Sequence, residues 1–386
     1  MNNKLFIYLF TTTRAEFGLL KNLINEILIV KNLRLKVIVT GSHLDKSNGL
    51  TIKEIKEDRI DVYKKIKIYN EFDGSSNKIT ESICLSISKV ASLLKRKPSD
   101  LVIILGDRYE TFSIAIASFI ARIPIAHIQG GELTMGSIDD SIRHAITKLS
   151  HYHFVTNLIH KNRVKQLGEN PNKIFNVGAL GIDSILNTSF FLKSELEKIL
   201  KIKFQNKILI VTIHPETQRK NYNDKMVTEI MKALSVLNNT TIIITSPGFD
   251  HDSLLIKKII KKHLKKNIYY YKSLGQKKYL SCLNVSDGVL GNSSSGIIEA
   301  PFLKRPTINI GERQKGRPLA KSVINCRPKK NEILKAIEII FSERFKKKYL
   351  STSNLFGKGD AAKKIVDILK KIKINNNDLS KRFYDL

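Results

Sequence analysis

The stretch from Leu101 to Lys148, LVIILGDRYETFSIAIASFIARIPIAHIQGGELTMGSIDDSIRHAITK, constrains the fold more than any other part of the chain. Leu101–Leu105 is apolar at every position, the pattern of a parallel strand covered on both faces. Gly106, Asp107 and Arg108 end that strand. An apolar, helix-like run, Thr111–Ala121, follows. A second short strand, Ile123–Ile128, stops at Gln129, Gly130, Gly131 and Glu132, and after a Gly/Ser loop another helix begins near Ile138. Two successive strands thus each deliver a charged residue at the carboxyl end, where open α/β sheets bind ligands.

The rest of the chain repeats this alternation, as in a doubly wound sheet. Lys4–Phe10 reads as a strand, Thr11–Gly18 as a turn, Leu19–Ile29 as a helix and Leu35–Thr40 as the second strand. Hydroxyls and Arg14 before a helix N-terminus suit an anion, but the same residues describe an N-cap beside a surface arginine. Ile60–Ile68 reads as a strand and Ile79–Leu94 as an amphipathic helix. On the helix after Glu132, Asp140 and His144 share one face, as do Asp139 and Arg143. Phe154–Asn157 and Ile174–Val177 read as the last strands of a first half. One helix is expected over Ser184–Leu200, and a second set of strands begins at Lys207–Ile213, ending in His214, Pro215, Glu216 and Thr217. Helices over Met226–Leu237 and Gln276–Asn284 and strands at Thr241–Thr245, Ile268–Tyr271 and Thr307–Ile310 continue it. Gly288–Leu290 leads into Gly291, Asn292, Ser293, Ser294, Ser295 and Gly296; strand, Gly/Ser turn and helix start are the parts of a phosphate cradle. Glu299, one turn into that helix, is placed to reach a ribose. An amphipathic helix is expected over Ala361–Ile372, with disorder at Asn375–Asn377.

These elements predict an α/β chain of two Rossmann-like domains facing a cleft: residues 1–180, residues 181–360, and a helix and tail, 361–386, packing back on the first. The length, 386 residues, is enough for two such cores. A nucleotide in the second half would present its attached group to Asp107 and Glu132 of the first. Lys and Arg number 66 against 35 Asp and Glu, a net charge of +31. The lysines are scattered, with local runs at Lys346–Lys348 and at Lys257, Lys258, Lys261, Lys262, Lys265 and Lys266 on one helix, and carry no nucleic-acid recognition signature. The positive field favours an anionic substrate over nucleic acid. No apolar run is long enough to span a bilayer, so no membrane insertion is expected. Cys84, Cys282 and Cys326 are odd in number and far apart, which suggests a reducing cytoplasm and gives no metal spacing.

The motifs taken together resemble the hydrolysing UDP-N-acetylglucosamine 2-epimerases of sialic-acid biosynthesis, in particular the bacterial branch that makes free N-acetylmannosamine. They are TRAEFG at Thr13–Gly18, GDRYE at Gly106–Glu110, HIQGGE at His127–Glu132, DDSIRHAITKLSH at Asp139–His151, HPET at His214–Thr217, GNSSSGIIE at Gly291–Glu299, INIGERQKGR at Ile308–Arg317 and FYD at Phe383–Asp385. The resemblance implies a glycosyltransferase-B architecture and a cytoplasmic enzyme without cofactor or metal, expected as a dimer or tetramer acting on a nucleotide sugar. It implies Asp107, Glu132 and Asp140 as catalytic carboxylates, with the base of each half-reaction left open, and His214 near the diphosphate. Arg14, Ser293, Ser294 and Arg313 match nucleotide contacts and Glu299 the ribose ligand, while Arg108, Arg143 and His144 stand beside them to orient or neutralise. The implied reaction eliminates UDP to 2-acetamidoglucal and then hydrates it.

Three departures from the family pattern stand out. Thr12 and Thr13 stand where a glycine is usual, Gln129 removes an ionisable side chain, and SPGFD at Ser246–Asp250 places Gly248 where relatives have an asparagine. The same reaction on a 2,4-diacetamido-2,4,6-trideoxy sugar nucleotide for legionaminic acid is the alternative. A noncatalytic nucleotide-sugar or nucleic-acid binder rests only on the charge, and a glycosyltransferase only on the fold.

Overall fold

The computed structural model describes residues 4–45, 50–69, 75–135, 137–217, 222–247, 252–350, 354–374 and 379–385, apart from the Lys348 side chain. The chain divides into two compact units, Met1–Glu132 with Asp139–Leu186 and Phe356–Leu386, and Leu133–Ile138 with Asn187–Leu355. Each is built on one all-parallel sheet. No helix among the described residues is long and apolar enough to cross a membrane.

In the first unit the strands are β1 (Leu5–Thr11), β2 (Leu33–Thr40), β3 (Val62–Ile66), β4 (Leu101–Leu105), β5 (Ile125–Ile128), β6 (Tyr152–Val155) and β7 (Ile174–Asn176), in the order β3-β2-β1-β4-β5-β6-β7. The period of two splits each apolar strand between two cores. Ile7 and Leu9 of β1, with Leu101, Ile103 and Leu105 of β4, face α1 (Arg14–Leu28). Tyr8, Phe10, Val102 and Ile104 face α3 (Ser76–Arg96) and α4 (Tyr109–Ile120), α2 being the short Ile52–Glu57. Further on come α5 (Asp139–Leu149), α6 (Leu158–Gln166) and α7 (Leu180–Leu186). The sheet order reverses between β1 and β4, the switch point at which such sheets open a crevice.

The second unit repeats that order with one strand fewer: β10-β9-β8-β11-β12-β13. Its strands are β8 (Lys207–Thr212), β9 (Thr240–Thr245), β10 (Ile268–Tyr271), β11 (Gly288–Gly291), β12 (Thr307–Ile310) and β13 (Val323–Cys326). Its helices are α8 (Lys193–Leu200), α9 (Asn223–Leu234), α10 (Ser253–Lys262), α11 (Gly275–Val285), α12 (Ser295–Phe302), α13 (Lys330–Phe341) and α14 (Glu343–Leu350). The switch point here lies between β8 and β11, which pair directly.

The last helix, α15 (Ala361–Leu369), belongs to the first unit, where Ala361, Ala362, Ile365, Val366 and Leu369 join the α1 core. Buried Asp183 accepts the amides of Ala361 at 3.1 Å and Ala362 at 2.6 Å, placing a carboxylate at a helix N-terminus.

The structure corrects several sequence expectations. The first helix begins at Arg14, not Leu19, because Thr13 is an N-cap whose hydroxyl accepts the Glu16 amide at 3.3 Å. The Glu16 carboxylate reaches back to the Thr12 amide at 2.9 Å. The single helix over Ser184–Leu200 is two, α7 and α8. Glu195 restarts the chain as α8 by accepting the Leu192 amide at 2.6 Å, while the Phe191 amide donates to Ser281. Lys265 and Lys266 lie beyond α10, so the lysine run does not share one helix. The terminal helix stops at Leu369, short of Ile372. Asn375–Asn377, Gly248, Phe249 and Asp250 lie outside the described residues.

Candidate active site

In the first unit the ends of β4 and β5 and the start of α5 bring Asp107, Glu132, Asp140, Arg143 and His144 together. Arg143, buried on α5, pairs through Nη2 with Asp107 Oδ2, donates through Nη1 to the Gln129 carbonyl at 2.9 Å, and stands 4.0 Å from Glu132 Oε2. Asp140 Oδ2 lies 3.7 Å from His144 Nε2, one helical turn apart. Burial holds the His144 imidazole below its ordinary pKa, with Asp140 opposing and Arg143 and Arg163 reinforcing the shift.

Further buried side chains fix these groups. His127 on β5 is fully buried and donates from Nε2 to the Gly106 carbonyl at 2.7 Å, so it bridges to the turn that carries Asp107. Burial pushes its pKa down to about 3, so it stays neutral. Glu132, 2% exposed, accepts the Thr156 hydroxyl at 3.3 Å, and Thr156 pairs with His160 at 2.7 Å. The backbone delivering Glu132 is left-handed at Gln129 (φ 67°) and Gly131 (φ 77°). A Cβ on Gly131 would stand 2.5 Å from the His160 carbonyl oxygen.

Sequence reasoning missed Arg163, Thr156 and His160, all from the β6–α6 segment. Arg163 donates to the Gly131 carbonyl. Burial lowers its pKa, while Asp140 and Glu132 pull it up. The signal available was the Asn157 N-cap, which places His160 and Arg163 on the first turns of a helix following a strand.

Arg108 and Arg14 stand nearer β1. Arg108 Nε donates to buried Glu110 at 3.1 Å, and Glu110 also accepts the Tyr69 hydroxyl at 2.5 Å. Arg14, at the first position of α1, keeps a buried Nη1 with no hydrogen-bond partner among the described residues, and burial lowers its pKa. A half-buried cation at a helix N-terminus beside a switch point suits an anion.

In the second unit His214, Ser293, Ser294, Glu299 and Arg313 gather at the ends of β8, β11 and β12. Asn292 clasps His214, accepting its amide at 2.7 Å and donating to its carbonyl at 2.9 Å. The Asn292 carbonyl accepts Arg313 Nη1 at 3.2 Å and Gln314 Nε2 at 2.7 Å. Gly291 sits at φ 137°, where a Cβ would lie 2.0 Å from the Thr212 carbonyl oxygen, so only glycine lets the turn approach β8. Glu216, fully buried and given no role of its own by the sequence, accepts the amides of Glu312 at 2.8 Å and Arg313 at 3.3 Å, fixing the arginine-bearing loop. Ser293 and Ser294 precede α12, and burial raises the pKa of Glu299 on that helix.

Two switch-point sheets, one edged by carboxylates and guanidiniums and the other by a Ser-rich helix start, define a two-domain α/β protein of the glycosyltransferase-B type. The structure of UDP-GlcNAc 2-epimerase from Neisseria meningitidis bound to UDP-GlcNAc shares this fold, with a TM-score of 0.81 and 20% identity over 95% of this chain and 100% of that one. The chain belongs to the UDP-N-acetylglucosamine 2-epimerase family, whose pattern it matches over residues 26–370. It is 39% identical to the hydrolysing GDP/UDP-N,N'-diacetylbacillosamine 2-epimerase of Campylobacter jejuni, over 98% of this chain and 99% of that protein. It is 37% identical to the polysialic acid biosynthesis protein P7 of Escherichia coli, over 97% and 96%.

Proposed function

We propose that the chain hydrolyses and epimerises a 2-acetamido sugar nucleotide, converting UDP-N-acetylglucosamine and water to N-acetylmannosamine and UDP for sialic-acid biosynthesis. The observation that carries the reading is the cluster of Asp107, Glu132 and Asp140 around Arg143, Arg163 and His144 at one sheet edge.

In the first half-reaction a carboxylate takes the proton from carbon two, and the C1–O bond breaks with its electron pair leaving on UDP, giving 2-acetamidoglucal. In the second a proton is delivered to carbon two from the opposite face and the oxygen of water bonds to carbon one. Both halves need an acid and a base held at fixed places, which the three carboxylates and the His144 imidazole supply. Arg143 and Arg163 offset the charge of the carboxylates and orient them. In this reading His214, Ser293, Ser294 and Arg313 of the second unit meet the diphosphate and uridine end, where fixed cations and N–H groups stabilise the departing charge, and Glu299 accepts from the ribose.

The name of the Campylobacter relative favours a second reading, the same chemistry on a diacetylbacillosamine nucleotide, UDP- or GDP-linked. Incubation with UDP-N-acetylglucosamine and with the 2,4-diacetamido-2,4,6-trideoxy analogues, with NMR of the released sugar, separates the two. In deuterated water the product carries deuterium at carbon two. In oxygen-18 water the label enters the sugar at carbon one and not UDP. A UDP-linked epimer as main product, or label in the UDP phosphate, would reject the hydrolytic scheme.

A further inference from the structure

The far end of α5, about two turns beyond Asp140, is held by the tail that follows α15. Lys381 places its ammonium at the last turn of that helix. An ammonium has three protons to donate, and here each has an acceptor: the Ser150 carbonyl, the Thr147 carbonyl at 3.4 Å and Glu169 Oε2 at 2.6 Å. The last carbonyls of a helix lack partners within it and carry its partial negative charge, so a cation there supplies both the bonds and the charge. Glu169, in the turn after α6, is 3% exposed and grips the helix a second time, accepting Lys148 through Oε1 at 2.8 Å. His153 of β6 donates to the same Oε2 as Lys381, at 2.9 Å. The tail also has its own seat. The Tyr384 amide donates to the Gly168 carbonyl at 3.0 Å, and the Lys148 ammonium lies 5.1 Å from the centre of the Phe383 ring. Gly168 is left-handed at φ 77°, and a Cβ there would stand 2.3 Å from that ring.

Few apolar contacts hold α5 otherwise. Ile146 is its one buried apolar side chain, and its other buried residues are Arg143 and Thr147. The Thr147 hydroxyl donates to His127 Nδ1 at 3.2 Å, and His127 holds the turn that carries Asp107. The helix therefore keeps its place largely through polar bonds, at Arg143 in its middle and at Lys148 and the Lys381 acceptors at its end. With eleven residues it is about 16 Å long, short enough to shift as one body. We propose that Lys381 is a positioning residue for the reaction: the tail clamps the C-terminal turn of α5 and so holds Asp140, Arg143 and His144 in register with Asp107 and Glu132. The inference rests on the reading of that cluster as the site of proton transfer, and Lys381 acts on it through Thr147 and Ser150. A misplacement of about 1 Å costs such a constellation about 10²-fold in rate, so partial release of the helix is read in kcat.

Steady-state kinetics on the whole chain, with amide hydrogen exchange of peptides spanning α5, test this. Lys381→Met keeps the aliphatic stem and removes the ammonium. It is expected to lower kcat about tenfold and to leave KM and the calorimetric affinity for UDP within about twofold. Exchange in α5 is expected to quicken about threefold or more, while peptides of β8 and β11 stay as in wild type. Lys381→Arg restores the charge and the donors, and is expected to recover kcat to within about threefold of wild type. Phe383→Ala loosens the tail with Lys381 and its acceptors in place; it is expected to move kcat and exchange in the same direction, and it decides the matter if Lys381→Met does not fold. Wild-type kcat in the folded Lys381→Met variant, or a loss of kcat with α5 exchange unchanged, would overturn the inference. So would a loss confined to KM, or one that Lys381→Arg fails to recover. A wild type that turns over no nucleotide sugar would instead overturn the reading of the carboxylate cluster, and the inference with it.

Discussion

Arg143 sets the chemistry of its neighbours, since one buried guanidinium holds Asp107, a backbone carbonyl and the approach to Glu132. Asp107→Asn and Glu132→Gln each keep shape and remove an ionisable group, so both variants are expected to fold and to lose about 10²–10⁴-fold in kcat. Near-wild-type turnover with an unchanged circular dichroism spectrum would remove that residue from the scheme. Arg163→Gln withdraws the cation beside Glu132 and Asp140 and loosens the Gly131 carbonyl. It is expected to lower kcat by about 10²-fold with KM much less affected; a change confined to KM would assign Arg163 to binding. The carboxylates were legible because each ends an apolar strand or opens the helix that follows. Arg163, Thr156 and Glu216 were not, because the first two act on those carboxylates and Glu216 on the Arg313 loop, from elements whose own sequence shows an ordinary helix start or a buried polar residue. Their partners are set by tertiary contact alone.

Among the elements, the strands were the easiest to read, since both-face burial writes an unbroken apolar run, and β4, β10 and β12 coincide with their expected ranges. The helix starts were harder. The Thr13 cap and the Glu195 restart depend on side-chain-to-amide bonds that leave no mark on hydrophobic periodicity. β13, α13 and α14 fall in a stretch rich in lysine where the apolar signal is diluted. The turn carrying Glu132 is the element of the proposed site with the tightest backbone. Gly131→Ala would force a side chain into the left-handed region and against the His160 carbonyl and Val164. It is expected to destabilise the protein by about 2 kcal/mol or more and to lower activity further than the stability loss explains. Urea titration and activity at low temperature, where the variant remains folded, separate the two effects. A variant as stable and active as wild type would show that the turn tolerates a side chain.

At the scale of the whole molecule, acid stability is expected to fall from the first unit. His43, His127 and His151 are buried there, and burial pushes their pKa values down to about 3, about 3 and about 4. In the unfolded chain a histidine titrates near 6.5. Between pH 6.5 and the folded values, the unfolded state therefore binds more protons, so stability declines as pH falls, by at most about 1.4 kcal/mol per pH unit for each histidine. Glu169, whose pKa His153, Lys381 and Lys148 pull down to about 2 against its burial, adds a second loss only as pH falls from about 4.5 toward 2. The order of the two windows makes the decline a histidine effect above pH 5. The chain has no tryptophan, so circular dichroism serves for urea titrations at a series of pH values, with hydrogen exchange on peptides of β1, β4, β5 and α5 locating the loss. His127→Gln, which keeps a donor for the Gly106 carbonyl, is expected to lower stability at pH 7 and to remove about one proton from the slope between pH 5 and 6.5. A flat stability profile across that range in the wild type, or exchange that accelerates first in the second unit, would place the acid-sensitive groups elsewhere.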